Sequence, residues 1–287
     1  MNTIKANIGN WNVECLPDDG ARISVLQYAG KDLLSVKPFE FNLPDKFYGE
    51  FETRPVYGYD DCFPTVDPCQ YPGSKLLCRD HGELCWQKWQ VQFKGNSLIC
   101  VTESHVPTMK FSRTLEFSEN NLKWKFEVSN LSRNILPFLH VMHPLMPLKE
   151  IQRLRFPKYT HIVNENKSVD LDLTSSEKLI KYLTGLKSGS YEMFFLKNVF
   201  NGNIELDFSN GLNLQIDYSP EMFPTIGIWW NNYGYPDQEG LRRCECAFEP
   251  IPGSNSNLSD CFKEGHYLKT ESGETRGWEI NWTIQQF

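Results

Sequence analysis

Three titratable side chains follow or end apolar runs, where a polar group can face a pocket rather than bulk water. Two are the imidazoles of His81 and His143, and the third is Glu249, which closes the apolar run 246–248. Histidine exchanges protons near neutral pH, and partial burial raises the pKa of a carboxyl group and makes it a better base. Together these residues predict paired general acid–base chemistry.

Each residue also has a plainer interpretation when it is taken alone. A glutamate at a strand end more often points at water than into a site. His143 is as well explained as a hydrogen-bonded structural histidine. His140 lies three residues earlier, so strand alternation puts it on the opposite face from His143, and we expect it to be structural.

The stretch 79–86, Arg-Asp-His-Gly-Glu-Leu-Cys-Trp, places a guanidinium, a carboxylate and an imidazole on consecutive residues. Trp86 ends it and Trp89 follows. Three polar groups in a row would each need a partner in a buried strand, and a solvated loop rarely ends in two tryptophans. This combination favours the rim of a pocket, where polar groups meet apolar walls.

An aromatic cluster near residue 230 is a second candidate for ligand binding. Sugars present apolar C–H faces beside hydroxyl groups, so rings next to amides suit them. Ordinary core packing explains such rings equally well. The cluster comprises Trp229, Trp230, Asn231, Asn232, Tyr233 and Tyr235.

Other chemistries have weaker support. Cysteines and a histidine between residues 62 and 85 leave a structural zinc site open as an alternative, although no Cys-x2-Cys pair is present. No glycine-rich phosphate loop and no Gly-x-Ser-x-Gly motif occurs, which argues against nucleotide chemistry and serine hydrolysis. The zinc candidates are Cys62, Cys69, Cys78, His81 and Cys85.

Short apolar runs separated by turn residues predict antiparallel strands. Asn201-Gly202 and Asn210-Gly211 are hairpin signals, and a single helix is predicted over 175–186, with Ser176 as a possible cap. The predicted strands are 4–8, 11–16, 21–28, 32–36, 89–93, 97–103, 109–117, 122–128, 135–142, 194–200, 204–208, 212–218, 225–230, 244–248 and 278–284.

Two segments carry particular expectations. Residues 39–73 have no steady period, and we expect an irregular excursion of the kind that carries function. Residues 135–142 are nearly all apolar and predict a strand buried on both faces. Residues 122–128 alternate strictly, which predicts one dry face and one wet face.

These elements predict an all-β protein, built as a single large antiparallel β-sandwich domain over residues 1–287. The 287 residues are 40% hydrophobic, 23% charged and 14% aromatic, which is typical of a globular chain rich in rings. All-β folds often exceed 200 residues as one domain.

A formal net charge of −7 without a basic cluster argues against nucleic acid or an anionic membrane as a partner. No signal peptide or membrane span is evident, so we expect a cytoplasmic protein. Its nine cysteines are then reduced thiols.

In their order along the chain, several motifs resemble those of the aldose 1-epimerase, or galactose mutarotase-like, superfamily. The resemblance covers most of the chain from about Tyr57 onward. It implies a supersandwich with a sugar groove on one face and no cofactor or metal. The motifs are Arg79-Asp80-His81-Gly82 with Trp86 and Trp89, His143-Pro144-Leu145, Gly227-Ile228-Trp229, Gly234-Tyr235-Pro236 and Phe248-Glu249-Pro250.

The resemblance also implies residue roles. His143 matches the general acid toward the ring oxygen, Glu249 matches the general base toward the anomeric hydroxyl, and His81 matches the histidine that orients the substrate. Arg54 and Arg79 are both candidates for a substrate-binding arginine, 27 and two residues before His81 respectively.

Asp61 and Trp230 complete the candidate substrate-binding residues. The predicted ligand is a small-molecule carbohydrate, and the protein is expected to be a monomer or a homodimer. Two alternatives remain open, namely a sugar-binding module without catalysis and a sugar-phosphate mutarotase in which Arg54, Arg79 and Lys75 meet the acidic group.

Overall fold

The computed structural model describes residues 2–42, 51–173, 175–236 and 242–287. The first twelve strands are β1 Ile4–Ile8, β2 Trp11–Leu16, β3 Arg22–Tyr28, β4 Lys31–Asp32, β5 Tyr59–Cys62, β6 Cys69–Gln70, β7 Leu77–Cys78, β8 Gln90–Lys94, β9 Ser97–His105, β10 Thr108–Phe117, β11 Asn121–Asn130 and β12 Leu136–Phe138.

The remaining strands are β13 Val141–Pro144, β14 Met146–Pro147, β15 Ile151–Arg155, β16 His161–Asn164, β17 Val169–Leu171, β18 Ser190–Lys197, β19 Asn203–Phe208, β20 Leu212–Asp217, β21 Thr225–Asn232, β22 Cys244–Ile251, β23 Leu268–Thr270 and β24 Thr275–Gln286. The helices are α1 Ser176–Thr184 and α2 Leu258–Glu264, with short 3-10 turns at Phe51–Thr53, Leu84–Trp86 and Leu148–Glu150.

Three large antiparallel sheets make up the structure. One runs in the order β1-β2-β3-β5-β13, with β4 also paired to β3, and a second runs β14-β22-β21-β18-β16-β17. The third has eight strands, in the order β15-β19-β20-β24-β11-β10-β9-β8. Two small two-stranded sheets, β12-β23 and β6-β7, complete the sheets among the described residues. The prediction of an all-β antiparallel sandwich is confirmed.

The core lies between the eight-stranded sheet and the two six-stranded sheets. In β11 the predicted alternation is confirmed, because Leu122, Trp124, Phe126 and Val128 are all fully buried and the residues between them face outward. Buried side chains of all three sheets join one continuous apolar cluster. The ring of Trp124 lies 4.4 Å from that of Tyr59 in β5, which brings two of the sheets together.

Turn chemistry explains one predicted hairpin and corrects another. Asn210-Gly211 joins β19 to β20, with Gly211 at a φ of +81° and the Asn210 side chain accepting from the Leu212 amide at 3.2 Å. Asn201-Gly202 does not form a hairpin, because β18 and β19 belong to different sheets. Gly202 instead allows a close backbone approach, since a Cβ there would lie 1.9 Å from the Tyr218 carbonyl oxygen.

The helices differ in part from the prediction. Helix α1 confirms a helix in the predicted segment, but the cap is Ser175, whose side chain accepts from the Lys178 amide at 3.3 Å. Helix α2 was not predicted. It begins after the cap Asn257 and ends at Gly265, which has a φ of +79°. No helix in the described ranges is long and apolar enough to span a membrane.

Three segments depart from their predicted structure. The run 135–142 is not one strand, because β12 pairs with β23 while β13 pairs with β5. The run 32–36 contributes only its first residue to β4. The excursion 39–73 contains β5, whose four residues are all buried, whereas residues 43–50 lie outside the described residues.

Candidate active site

His143 is held by a buried carboxylate on the neighbouring strand. In the β13–β5 ladder it lies opposite Asp60, and its Nδ1 lies 2.9 Å from Asp60 Oδ1. Burial opposes ionisation of Asp60, but the hydrogen bond from His143 and the charges of Arg22 and Arg54 outweigh it, and its pKa lies well below the usual range. An ionised carboxylate only accepts. Nδ1 therefore carries a proton, and Nε2 is left to face the cleft.

Glu249 lies across the cleft from His143. Its Oε1 is 3.9 Å from His143 Nε2, and the residue is 4% exposed. Burial raises the pKa of this carboxyl to about 7, against a lowering influence of His143. Gly227 on β21 lies opposite Glu249, and a Cβ at that position would lie 2.9 Å from Oε2. The missing side chain of Gly227 makes room for the carboxylate.

His81 reaches the same cleft from a strained turn. It has a φ of +58° and is followed by Gly82 at +69°, where a Cβ would lie 1.9 Å from the Phe63 carbonyl oxygen. Its Nδ1 lies 2.8 Å from Asp80 Oδ1. Its ring stacks on Phe51 with 3.6 Å between centroids. The structure thus brings His81 next to His143, with 5.0 Å between their ring centroids.

The cleft that holds these groups has a volume of about 220 Å³. Pockets for drug-sized ligands run from about 300 to 1,000 Å³, so this one suits a smaller molecule. No Lys or Arg of the described residues lines it. Its lining combines the rings of Phe51, Tyr191, Trp229 and Tyr235 with the acids Asp67, Asp80, Glu165 and Glu249.

Two of the lining acids share one hydroxyl group. Ser256 Oγ lies 2.5 Å from Asp67 Oδ2 and 3.1 Å from Glu165 Oε1. Burial raises the pKa of Asp67 and raises that of Glu165 to about 7. This trio was not predicted, and no local signal marks it because its members are far apart in the sequence. It offers hydrogen-bond partners for ligand hydroxyls.

The two arginines do not line the cleft. Arg54 is 5% exposed, and its guanidinium lies 2.5 Å from Asp19 and 3.5 Å from Asp60. It therefore supports the carboxylate behind His143. Arg79 is exposed and lies over the Trp86 ring at 5.3 Å. Neither placement fits the predicted substrate contact.

Asp61 and Trp230 were also predicted as substrate-binding residues, and the structure places both outside the lining of the cleft. Asp61 is fully buried on the core face of β5, bonded to Arg113 and to His140 Nε2 at 3.0 Å. Trp230 is 5% exposed and belongs to the core cluster, whereas its neighbour Trp229 lines the cleft. Strand alternation separates adjacent residues onto opposite faces.

The predicted rim and zinc residues are also distributed differently. Trp89 is buried in the core, 5.7 Å from Phe111, and neither it nor Trp86 lines the cleft. Among the zinc candidates, Cys69 and Cys78 face each other across β6 and β7. Cys62 and His81 lie close to a residue outside that set, His143, with one ligand atom of each within 4.8 Å of the others.

No protein-family model matches the chain. No curated protein matches it either.

Solved structures, in contrast, match the whole fold. The Slr1438 protein of Synechocystis sp. PCC 6803 superposes with a TM-score of 0.75 at 13% identity, covering 100% of this chain and 96% of that one. A candidate aldose 1-epimerase of Escherichia coli K12 gives 0.74 at 15% identity, covering 100% and 99%. A galactose mutarotase-like protein of Clostridium acetobutylicum gives 0.68 at 16% identity, covering 99% and 95%.

These likenesses establish the architecture. The chain has the all-β fold of galactose mutarotase-like proteins, as the sequence motifs implied.

Proposed function

We propose that this protein is an aldose 1-epimerase that interconverts the anomers of a free aldose. The observation that carries the proposal is the pairing of His143 Nε2 and Glu249 Oε1, 3.9 Å apart in a cleft walled by aromatic rings. A base and an acid on facing walls are what anomeric interconversion requires.

In the proposed reaction Glu249 accepts the proton of the C1 hydroxyl while protonated His143 donates a proton to the ring oxygen. The C1–ring-oxygen bond breaks and leaves an open-chain aldehyde. Rotation about C1–C2 presents the other face of the carbonyl, and closure reverses both transfers. The protein ends in its starting protonation state, so the reaction needs no cofactor.

Each wall of the cleft has a role in holding the sugar. Trp229 and the neighbouring rings can cover the apolar C–H face. His81 and the Asp67–Ser256–Glu165 trio supply donors and acceptors for hydroxyl groups. Asp60 is a positioning residue, because it touches His143 rather than the substrate.

The charge of the lining favours an uncharged sugar over a sugar phosphate. Four carboxylates line the cleft, and no Lys or Arg of the described lining offsets them. Arg54 is engaged by Asp19, Arg79 lies outside the lining, and Lys75 lines a separate depression. A phosphate would be repelled in this cleft.

The test is polarimetry on freshly dissolved α-anomers of several aldoses, after subtraction of spontaneous mutarotation. Glu249→Gln and His143→Asn should each lower kcat/KM by about 10²–10⁴-fold, the usual contribution of general acid–base catalysis. Glu205→Gln, on the partly exposed strand β19, is the matched control and should keep the wild-type rate.

Wild-type rates in either variant would refute the assignment of roles, provided circular dichroism shows all variants folded. Sugar binding in calorimetry without turnover of any aldose would instead identify a binding module. A strict requirement for a phosphorylated sugar would contradict the charge argument.

A further inference from the structure

A buried thiol lies close to two imidazoles that line the cleft. One ligand atom each from Cys62, His81 and His143 lie within 4.8 Å of one another. The three residues come from β5, from the turn before Leu84 and from β13. Thiolate and imidazole together form the ligand set that zinc and similar divalent ions prefer.

Both imidazoles are oriented as metal ligands usually are. His143 Nδ1 meets Asp60 at 2.9 Å, and His81 Nδ1 meets Asp80 at 2.8 Å. A metal-bound histidine almost always donates its other ring N–H to a carboxylate or carbonyl, which fixes the tautomer. With Nδ1 engaged in both rings, Nε2 of each ring keeps a lone pair for an ion.

A fourth ligand is also within reach. Glu249 Oε1 lies 3.9 Å from His143 Nε2, and no hydrogen bond to another described residue holds this carboxylate in place. In a tetrahedral zinc site the ligand atoms lie roughly 3.3–3.6 Å apart, given bond lengths of about 2.0–2.3 Å. The ligand atoms of Cys62, His81 and His143, which lie within 4.8 Å of one another, need to approach one another by roughly 1.5 Å or less to reach that geometry.

Access and burial also fit an ion. His81, His143 and Glu249 line the cleft, so an ion enters by the route that the sugar uses. Cys62 is 1% exposed and packs beside Val141. A dry apolar surround on one side and an open cleft on the other is the arrangement of an accessible metal site.

We propose that Cys62, His81 and His143 form a binding site for a divalent ion of the zinc type, with Glu249 or a water as fourth ligand. On binding, the Cys62 thiol releases its proton to solvent and its sulfur bonds to the metal; no electron is transferred. The ion takes the Nε2 lone pair of His143. If the proposed function holds, bound zinc therefore blocks the epimerase, so the ion is an inhibitor and not a cofactor.

The binding test uses chelator-treated, metal-free protein and no sugar. Zinc titrated against a chromogenic chelator should bind at one equivalent. Cobalt(II) in its place should give a thiolate-to-cobalt charge-transfer band and the intense visible bands of tetrahedral coordination. Cys62→Ser should abolish the charge-transfer band, whereas Cys69→Ser, at a partly buried cysteine of β6, should leave it unchanged.

A second variant covers the case in which Cys62→Ser does not fold. Asp80→Asn leaves all ligand side chains in place and removes the charge behind His81, so zinc affinity should fall about 10–100-fold, the usual effect of losing a ligand's supporting partner. Absence of stoichiometric zinc, or affinity that is unchanged in both Cys62→Ser and Asp80→Asn, would overturn the proposal.

The failure of this inference and that of the proposed function are separable. Mutarotation by metal-free protein that zinc does not inhibit would reject the metal site and keep the epimerase. Stoichiometric zinc and the cobalt band in a protein that turns over no aldose would keep the metal site and reject the epimerase.

Discussion

Two adjacent aspartates of β5 each form a hydrogen bond with a histidine, one on each face of the strand. Asp60 accepts from His143 on the cleft side, and Asp61 pairs with His140 on the core side. Burial lowers the pKa of His140 and so favours its neutral form. The two histidines face opposite ways, as predicted, although His140 lies just before β13 and does not share a strand with His143.

The acid limb of the pH–rate profile follows from the pKa of Glu249. Burial raises this pKa to about 7. A protonated carboxyl cannot accept the anomeric proton, so we expect kcat/KM for mutarotation to fall about tenfold per pH unit below 7. Polarimetry between pH 5 and 9 measures the profile.

Glu165 provides the control for this profile, since its charge helps to raise the pKa of Glu249. Glu165→Gln should therefore move the acid limb to lower pH. A wild-type limb near the ordinary glutamate pKa of about 4.3 would contradict the burial argument.

For individual residues, sequence reasoning predicted the three side chains that meet in the cleft and missed the polar side chains around them. His81, His143 and Glu249 each follow or end an apolar run, which is a local signal. Glu165 and Ser256 have no such signal, since their closeness depends on how distant segments pack. The structure places Asp61 on the buried core side of β5, which residue type alone does not predict.

Among the elements, β21 shows most clearly how one strand serves both the core and the site. Trp230 is 5% exposed in the core, whereas Trp229 lines the cleft, 5.3 Å from both Tyr191 and Tyr235 between ring centroids. The predicted aromatic cluster is thus divided between core packing, which includes Trp230, and the lining of the cleft, which includes Trp229.

The two tryptophans should respond differently to truncation. Trp230→Ala should lower the free energy of unfolding by about 3–5 kcal/mol, because it opens a cavity in the core. Trp229→Ala should raise KM about 2- to 10-fold, equivalent to one aromatic contact of about 0.5–1.5 kcal/mol. Urea denaturation and polarimetry measure both quantities for each variant. Equal losses of stability with unchanged KM would show that both rings are structural.

Most strands were predictable, because short apolar runs between turns leave few alternatives. Strand β5 was missed, since Asp60 and Asp61 occupy its centre and carboxylates are rarely fully buried. Buried guanidinium groups make this possible, among them Arg22 and Arg113. Helix α2 has only seven residues, so its apolar periodicity is weak, although Asn257 and Gly265 are recognisable cap residues.

For the whole molecule, a buried ionic cluster connects two of the large sheets. Arg113 on β10 of the eight-stranded sheet pairs with Asp61 on β5 of a six-stranded sheet, and both side chains are fully buried. The Tyr59 hydroxyl donates to Asp61 at 2.5 Å. Burial opposes ionisation of Asp61, but Arg113 outweighs it and holds the pKa of that carboxyl below its usual value.

Removing one partner of this cluster should be costly. Arg113→Leu leaves Asp61 buried without its cation, so the free energy of unfolding should fall by about 3–5 kcal/mol. Arg155→Leu breaks a partly exposed pair with Glu205 and should cost about 1 kcal/mol or less. Urea denaturation of both variants provides the comparison, and equal losses would mean that the buried pair contributes no more than the partly exposed one.

His143 and Glu249 stand on different sheets, and the chain crosses between those sheets almost immediately after the imidazole. His143 pairs with Asp60 in one sheet, and Met146 already pairs with Cys246 in the other. A residue gained or lost in between would slide the imidazole by roughly 3.3 Å, nearly the whole 3.9 Å gap to the carboxylate. Insertions should be tolerated in an exposed turn such as 94–96. Between His143 and Met146, in contrast, natural selection should preserve the number of residues even where it tolerates a change of residue type.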